Sequence, residues 1–157
     1  MIEGLSVATI TQPGRIRTIL LASDLAPASS AAEELAFELA GRLGASMLLV
    51  SVIDPRHLRV AGGGFGQRVD QVRAAREAAA QGIVARGQRE GIPIRCLIWQ
   101  GEPGEAIIEA AIAESVDLIV MGSHGRRGVD RLVMGSVSER VVREAPVPVL
   151  VARGPTG

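Results

Sequence analysis

Short apolar runs alternate with segments of helical spacing along most of the chain. Five runs are apolar almost throughout and are bounded by polar, glycine or proline residues. Such continuous runs are typical of parallel strands that are buried on both faces. The predicted strands are Thr18 to Ser23, Ser46 to Ile53, Pro93 to Trp99, Asp117 to Met121 and Val147 to Ala152.

Four segments between these runs carry apolar residues at helical spacing. The first begins with Ser30-Ala-Ala-Glu33, which fits a capping box, and ends at Gly44. Pro103 opens the third in a position suited to the first turn of a helix. The second is predicted to bury Val69, Val72, Ala79 and Ile83, the third Ile107, Ile108, Ala111 and Ile112, and the fourth runs from Gly135 to Glu144.

This alternation predicts an α/β fold with a five-stranded, doubly wound parallel sheet, strand order 3-2-1-4-5, and helices on both faces. We expect a single domain over residues 1–157, with a loose arm at 1–16 and a core at 17–153. Ligands of such sheets bind at the carboxyl ends of the strands where the strand order reverses. The loops after the first and fourth strands, which carry Asp24 and a glycine-rich segment, therefore predict the site.

The last predicted strand indicates a dimer. Pro146 and Pro148 lack N–H donors, which favours a position at the sheet edge. The strand is nevertheless apolar on both faces, and an exposed edge of this kind usually finds a partner. We expect a homodimer through Val147 to Ala152, paired across a two-fold axis.

Composition and charge argue against several classes of function. Of the 157 residues, 47% are apolar and 22% charged, as in ordinary globular proteins, and the net charge is zero. The few aromatics and the lack of a dense basic run argue against nucleic acid as a partner. All 17 basic residues are arginines, which excludes a P-loop lysine and lysine-based catalysis.

Nothing in the chain predicts a membrane or a secretory route. No apolar run approaches the ~20 residues that a membrane helix needs. Glu3 near the start, without a basic region before an apolar core, argues against a signal peptide. The single Cys96 cannot form an internal disulfide and is interpreted as a small core residue. The expected location is cytoplasmic.

The segment from Val120 to Glu139 carries the clearest chemistry. Glycines at 122, 125, 128 and 135 follow a predicted strand, and Gly135-Ser136 opens a predicted helix. Glycines let backbone N–H groups approach a ligand, and a helix N-terminus favours anions. A strand, a glycine loop and a helix start thus predict an anion cradle, most commonly for a nucleotide phosphate.

From Arg17 to Arg153, the chain resembles the universal stress protein family in its nucleotide-binding branch. The family signature is Gly, two residues, Gly, nine residues, then Gly-Ser or Gly-Thr. Gly122, Gly125 and Gly135-Ser136 match this spacing in full. The resemblance implies a flavodoxin- or Rossmann-like sheet and an ATP-binding, dimeric regulatory protein of the stress response that is not primarily an enzyme.

The same resemblance implies site residues by position. Asp24 corresponds to the carboxylate near adenine, although Asp24-Leu25-Ala26 lacks the serine of the family's frequent Asp-x-Ser, which removes a local turn or cap contact. ATP, with Mg²⁺, is the expected ligand, and ADP, AMP or cyclic AMP are the alternatives. The implied contacts are Ala22, Asp24, Val52, Met121 and Gly122 on the adenine and ribose side, and Gly125, Gly135, Ser136, Val137 and Ser138 on the phosphate side.

The sequence allows two roles for several residues. Asp24 either contacts adenine or caps the following helix. His124 is a general base or a structural loop histidine, and His57 is a surface histidine without a second metal ligand nearby. The Gly62 to Gly66 cluster is a flexible loop or a lid over nucleotide. Arg126, Arg127 and Arg131 contact terminal phosphates or are solvated.

Two other functions stay open. A slow ATP-hydrolysing enzyme of the adenine-nucleotide α-hydrolase type would share the architecture. Its adenylating members carry a serine- and glycine-rich loop after the first strand, and Ala22 to Ala26 contains no glycine. A dimerisation or scaffold module with a vestigial pocket is the third hypothesis, against which the complete glycine spacing argues.

Overall fold

The computed structural model describes residues 14–58, 62–123 and 134–154. A five-stranded parallel sheet with order β3-β2-β1-β4-β5 forms its centre, which confirms the predicted fold and strand order. Short 3-10 helices at Pro27–Ser29 and Pro55–Leu58 follow the first two strands. The remaining elements are β1 (Thr18–Ala22), α1 (Ser30–Leu43), β2 (Ser46–Ile53), α2 (Phe65–Glu90), β3 (Ile94–Gln100), α3 (Pro103–Ala113), β4 (Leu118–Gly122), α4 (Ser136–Glu144) and β5 (Val149–Ala152).

Alternate residues of the three central strands face two separate apolar layers. On β1, Ile19 and Leu21 pack towards α1 and α2, whereas Leu20 and Ala22 pack towards α3 and α4. This two-residue period is that of a β-strand, and burial on both faces accounts for the continuous apolar runs. The helices therefore cover both sides of the sheet, as predicted, and β1 lies where the strand order reverses.

The predicted capping box at the start of α1 is wrong. Ser30 has helical backbone angles and is the first residue of α1, while Ser29 is the N-cap and makes no side-chain cap bond. The carboxylate of Glu33 instead accepts a hydrogen bond from Ser23 Oγ at 2.9 Å. The 3-10 helix at Pro27–Ser29 brings the chain into α1 already coiled, so a capping box has no place to form.

Two residues assigned to inner helix faces are exposed. Ile112 is 60% exposed because it lies about 140° around α3 from the buried Ile107. Ala79 is also exposed, and its neighbour Ala80 is buried instead, since position 80 lies about 20° around α2 from the buried Val69. The helices were correctly predicted, but the rotation of each one about its axis was set by its packing.

The loop predicted from Asp54 to Gly66 is partly helical. It contains the 3-10 helix at Pro55–Leu58, and α2 already begins at Phe65, so Gly66 lies inside a helix. Gly62, Gly63 and Gly64 have positive φ angles of 112°, 88° and 76°, a conformation that favours glycine. The role of this cluster as a lid stays a prediction.

β5 is an edge strand, as its prolines predicted. It pairs with β4 on one side and ends the strand order, but it begins at Val149, two residues later than expected. Pro148 lies just before β5, and its carbonyl accepts a hydrogen bond from Ile119 N of β4 at 3.0 Å. Leu150 is 41% exposed on this strand. Among the described residues, no helix has the length and apolar character needed to cross a bilayer.

Candidate functional site

Four residues that the resemblance assigned to the pocket share one face of the sheet. Ala22 and Met121 are paired in register at the carboxyl ends of β1 and β4, and both are buried. Val52 at the end of β2 and Val137 in the first turn of α4 pack against the same apolar layer. The structure thus places these four side chains on the face of the sheet that α3 and α4 cover, and we call them the pocket floor.

The segment Ala22–Ser29, here called the β1 arm, is held by side-chain hydrogen bonds. Ser23 is buried, and its hydroxyl donates to Glu33 Oε1 at 2.9 Å while accepting from Leu25 N at 2.9 Å. Ser23 N also donates to Val50 O at 3.1 Å, which fixes the arm to β2. Leu25 has a φ of +61°, unusual for a residue other than glycine. The arm is therefore a bonded turn and not an open loop.

Asp24 caps this turn. Its Oδ1 accepts from Ala26 N at 3.0 Å and from Ser29 Oγ at 2.7 Å. A serine at position 26 could offer Asp24 a hydroxyl, but Ala26 cannot. The hydroxyl of Ser29, three residues further on, makes such a contact with Asp24 instead. Within the described residues, both bonds to Asp24 use the same carboxylate oxygen, Oδ1. Asp24 therefore closes a turn through one of its two oxygens, whereas the N-caps of the 3-10 helix and of α1 are Ala26 and Ser29.

Burial raises the pKa of the Glu33 carboxyl above its ordinary value of 4.5. The Ser23 hydrogen bond opposes this shift, the negative charges of Asp24 and Glu34 add to it, and Arg86 on α2 opposes it. A half-buried carboxylate is costly unless it is hydrogen-bonded, and Ser23 provides such a bond. Glu33 is thus a titratable group that directly supports the β1 arm.

Residues Met121–Ser123 and Met134–Ser138, here called the β4 arm, are held by hydrogen bonds to backbone carbonyls. Ser123 N donates to Ala152 O at 3.0 Å, and Ser123 O accepts from Gly135 N at 2.8 Å. Ser138 Oγ donates to the carbonyls of Ser123 and Gly135 at 3.2 and 3.0 Å. These bonds place the start of α4 directly beside the end of β4.

The start of α4 presents backbone amides rather than side chains. Gly135 is the N-cap, with φ −62° and ψ 157°, and has no side chain to cover the first turn. The first amides of a helix have no intrahelical partner, so those of Ser136 and Val137 suit an anion. The Ser136 side chain is exposed. Gly135 differs from the expectation, because its own amide is already bonded to Ser123.

Ser138 also differs from the expectation. It is only 2% exposed, and its hydroxyl is bonded to two carbonyls of the β4 arm. These bonds give its hydroxyl a structural role at the helix start, and a contact of Ser138 with phosphate stays a prediction. Gly122, by contrast, lies half-buried at the end of β4, paired with Ala152.

Six residues singled out in the sequence lie outside the described part of the chain: His124, Gly125, Arg126, Arg127, Gly128 and Arg131. Their assigned roles stay predictions. His57 is exposed, with Nδ1 3.6 Å from Asp54 Oδ2. Within residues 14–58, 62–123 and 134–154, no group of three or more His, Cys, Asp or Glu is arranged to hold a metal ion.

Asp54 is a polar residue of this sheet edge that sequence reasoning passed over. It lies directly after β2, is 7% exposed, and receives the Nε and Nη2 groups of Arg56 at 3.0 and 2.7 Å. The hydrogen bond from Arg56 holds its pKa below the ordinary value. The signal was available, because Asp54 follows its strand much as Asp24 follows β1.

A cavity of about 430 Å³ lies elsewhere, beside β3 and the start of α3. Trp99, Glu102, Glu105 and Glu109 are among its lining residues, and none of the four floor residues lines it. Glu102 caps α3 by accepting from Gly104 N and Glu105 N, and it also receives Arg140 Nη1 at 2.6 Å. The candidate site is therefore defined by topology and by the shared face of its residues, not by cavity size.

Two structural neighbours were solved with an adenine nucleotide bound. A universal stress protein in complex with cAMP has a TM-score of 0.66 and 22% identity, and covers 89% of this chain and 98% of its own. A family protein from Arabidopsis thaliana with AMP bound has a TM-score of 0.62 and 17% identity, and covers 89% and 93%. At these identities the likeness concerns the fold.

Comparison with known proteins identifies the family. A model of the universal stress protein family matches residues 15–153. A universal stress protein of Thermus aquaticus is 37% identical over 139 residues, covering 87% of this chain and 98% of that protein. The structure of hypothetical protein MJ0577 matches with a TM-score of 0.78 and 26% identity, covering 92% of this chain and all of its own. The chain belongs to the universal stress protein family.

Proposed function

We propose that this protein binds an adenine nucleotide, ATP with Mg²⁺, at the carboxyl ends of β1 and β4, and that it acts as a dimeric regulatory protein of the stress response. The observation that carries the proposal is the pocket floor: Ala22, Val52, Met121 and Val137 share one face, directly beside an uncapped helix N-terminus. An apolar wall next to unpaired amides suits a base and a phosphate chain.

Each part of the nucleotide has a counterpart in the described residues. The base would lie against the apolar floor, with Asp24 accepting a hydrogen bond from the amine at C6 of adenine. Guanine carries a carbonyl oxygen at that position, so the contact favours adenine. The phosphates would meet the amides of Ser136 and Val137 and the Ser136 hydroxyl. Gly125, Arg126, Arg127 and Arg131 remain predicted contacts. Mg²⁺ would neutralise phosphate charge, since this cation is often held by phosphates and water.

The two ligand-bound neighbours support the class of ligand. They bind cAMP and AMP on a sheet of the same family fold. They leave the number of phosphates open for this chain, so ADP, AMP and cyclic AMP are tested beside ATP.

A regulatory role fits the described polar groups better than efficient catalysis. Phosphoryl transfer needs a metal-holding acid and a group that positions the nucleophile. Among the described residues at this edge, Asp24 caps a turn, Glu33 accepts from Ser23, and Asp54 is paired with Arg56. We therefore expect slow turnover at most. Steady hydrolysis of Mg-ATP faster than about one per minute would favour the α-hydrolase alternative instead.

Titration calorimetry tests the binding proposal. Purified protein is titrated with ATP, ADP, AMP and cyclic AMP, and with GTP as the control for base selectivity. We expect binding of at least one adenine nucleotide well below about 1 mM and weaker binding of GTP. Absence of binding to every adenine nucleotide at that concentration would favour a scaffold with a vestigial pocket.

The dimer is proposed through the outer edge of β5. Leu150 exposes an apolar side chain on an edge strand, and Leu150→Glu would put a charge into the proposed interface. We expect a wild-type dimer and a monomeric L150E variant by light scattering at micromolar concentration. Ile112→Glu is the matched control, because Ile112 is a still more exposed apolar residue on α3. A monomeric wild-type protein would refute the proposal.

A further inference from the structure

The β1 arm contains a backbone conformation that needs support. Leu25 has a φ of +61°. For a bulky residue such as leucine this conformation is disfavoured and persists only where neighbouring bonds hold it. The bond that holds it joins Leu25 N to Ser23 Oγ, at 2.9 Å. The Ser23 hydroxyl thus holds the turn at Leu25, while Asp24 Oδ1 holds it at Ala26 and Ser29.

Glu33 sets that orientation. The Ser23 hydroxyl has one proton, and it donates this proton to Glu33 Oε1 at 2.9 Å. An ionised carboxylate can only accept, so the Ser23 proton must point towards Glu33 and the oxygen lone pairs remain for Leu25 N. The Glu33 side chain on α1 and the Leu25 amide of the β1 arm are thereby linked through the Ser23 hydroxyl, whose proton points towards Glu33.

Asp24 lies between the two residues that this link holds. The Ser23 backbone is tied to Val50 O, and Leu25 is tied to the Ser23 side chain. Asp24 Oδ1 is occupied by Ala26 N and Ser29 Oγ. With both flanking residues and one carboxylate oxygen fixed, the direction of the other oxygen, Oδ2, is fixed as well.

We propose that Glu33, acting through Ser23, is a positioning residue that aims Asp24 Oδ2 at the adenine amine. The inference rests on the proposed function of the same site, and it adds a determinant of base selectivity on α1, one hydrogen bond away from the residue next to Asp24. Glu33 itself touches no ligand in this scheme. Its effect on binding therefore passes entirely through Asp24.

A double-mutant cycle tests this route. The affinities for ATP and GTP are measured by calorimetry for wild type, Glu33→Ala, Asp24→Ala and the double variant. Loss of a charge-assisted contact weakens binding about tenfold, so we expect E33A and D24A each to lose about that factor for ATP, with little change for GTP. Because both act through the same oxygen, the double variant should bind ATP no more weakly than D24A alone.

Three further variants separate positioning from general damage. Glu33→Gln keeps an oxygen that can accept from Ser23 and should retain most of the ATP affinity. Ser23→Ala breaks the same link from its other end, and it replaces E33A in the cycle if E33A does not fold. Glu38→Ala removes an exposed carboxylate of the same helix, paired with Arg42, and should bind ATP like wild type.

The outcomes are distinct. If wild type binds no adenine nucleotide, the proposed function fails and this inference fails with it. If wild type binds ATP but E33A and S23A bind it equally well, only the inference is overturned. Full additivity of E33A and D24A would also overturn it, because Glu33 would then act by a route that does not include Asp24.

Discussion

The two arms of the proposed pocket are built in different ways. The β1 arm is a chain of side-chain bonds from Glu33 through Ser23 to Leu25, with Asp24 and Ser29 closing the turn. The β4 arm joins backbone groups, with the Ser123 carbonyl receiving the Gly135 amide across the intervening residues 124–133. One arm is specified by side-chain chemistry, and the other mainly by backbone groups, to which the Ser138 hydroxyl also bonds.

Because of this difference, we expect the two arms to recognise different parts of the nucleotide. Side-chain oxygens distinguish one base from another, because their acceptor pattern is specific. Backbone amides at a helix start recognise charge, and most phosphate groups satisfy them equally. We therefore expect the β1 arm to govern base selectivity and the β4 arm to govern overall affinity.

The largest effect is expected at the start of α4. The angles of Gly135 suit any residue, so Gly135→Leu should fold without backbone strain. Its side chain would cover the first-turn amides and weaken binding of all adenine nucleotides about a hundredfold, equal to about 2.8 kcal/mol. Calorimetry with ATP and AMP measures the loss.

Gly41→Leu is the matched control for that substitution. Gly41 lies in α1 with open space around the position of a Cβ atom. We expect its affinity for ATP to equal that of wild type. Unchanged affinity in G135L would mean that the β4 arm does not hold the phosphates. It would contradict the expectation that this arm governs overall affinity.

A smaller effect separates the two serines at the start of α4. Ser138→Ala removes a buried hydroxyl from two carbonyls and should lower the free energy of unfolding by about 1 kcal/mol. Ser136→Ala removes an exposed hydroxyl; it should leave stability unchanged and weaken ATP binding about fivefold. Urea unfolding and calorimetry on both variants check this split. A stability loss in S136A with none in S138A would reverse the two roles.

The smallest effect is a pH dependence confined to the β1 arm. Burial raises the pKa of Glu33 from 4.5, so the folded state binds this proton more tightly than the unfolded state. Stability from this group is therefore present below pH 4.5 and is lost as the pH rises through the raised pKa. Glu33→Gln does not ionise, so wild type should lose stability relative to E33Q over that interval.

Urea unfolding of both proteins from about pH 4 to about pH 7 measures this difference. Other carboxylates, such as Asp54 with its lowered pKa, titrate in both proteins and cancel. Ser138→Ala in the β4 arm should show a constant offset from wild type over the same range. A flat difference between wild type and E33Q would show that the proton on Glu33 is held no more tightly after folding.

Much of this architecture was predictable because its signals are local. Apolar runs and helical spacing depend on the next few residues, so the strands, the helix positions and the edge position of β5 were correctly derived. The strand order was predicted from the preferences of doubly wound sheets. The failures share a cause. The register of α2 and α3 was wrong at Ala79 and Ile112 because packing, not periodicity alone, sets how a helix rotates on a sheet. The capping box failed because Glu33 has a partner ten residues earlier.

For the candidate site, the pattern alone indicated a strand, a glycine segment and a helix start, since each depends on backbone preferences of adjacent residues. Folding decided the rest. It brought Ala22, Val52, Met121 and Val137 onto one face, gave the Gly135 amide to Ser123, and turned Ser138 inward. It also linked Glu33 to the Leu25 amide through Ser23. Such contacts depend on which elements lie side by side, and only the packed sheet determines that.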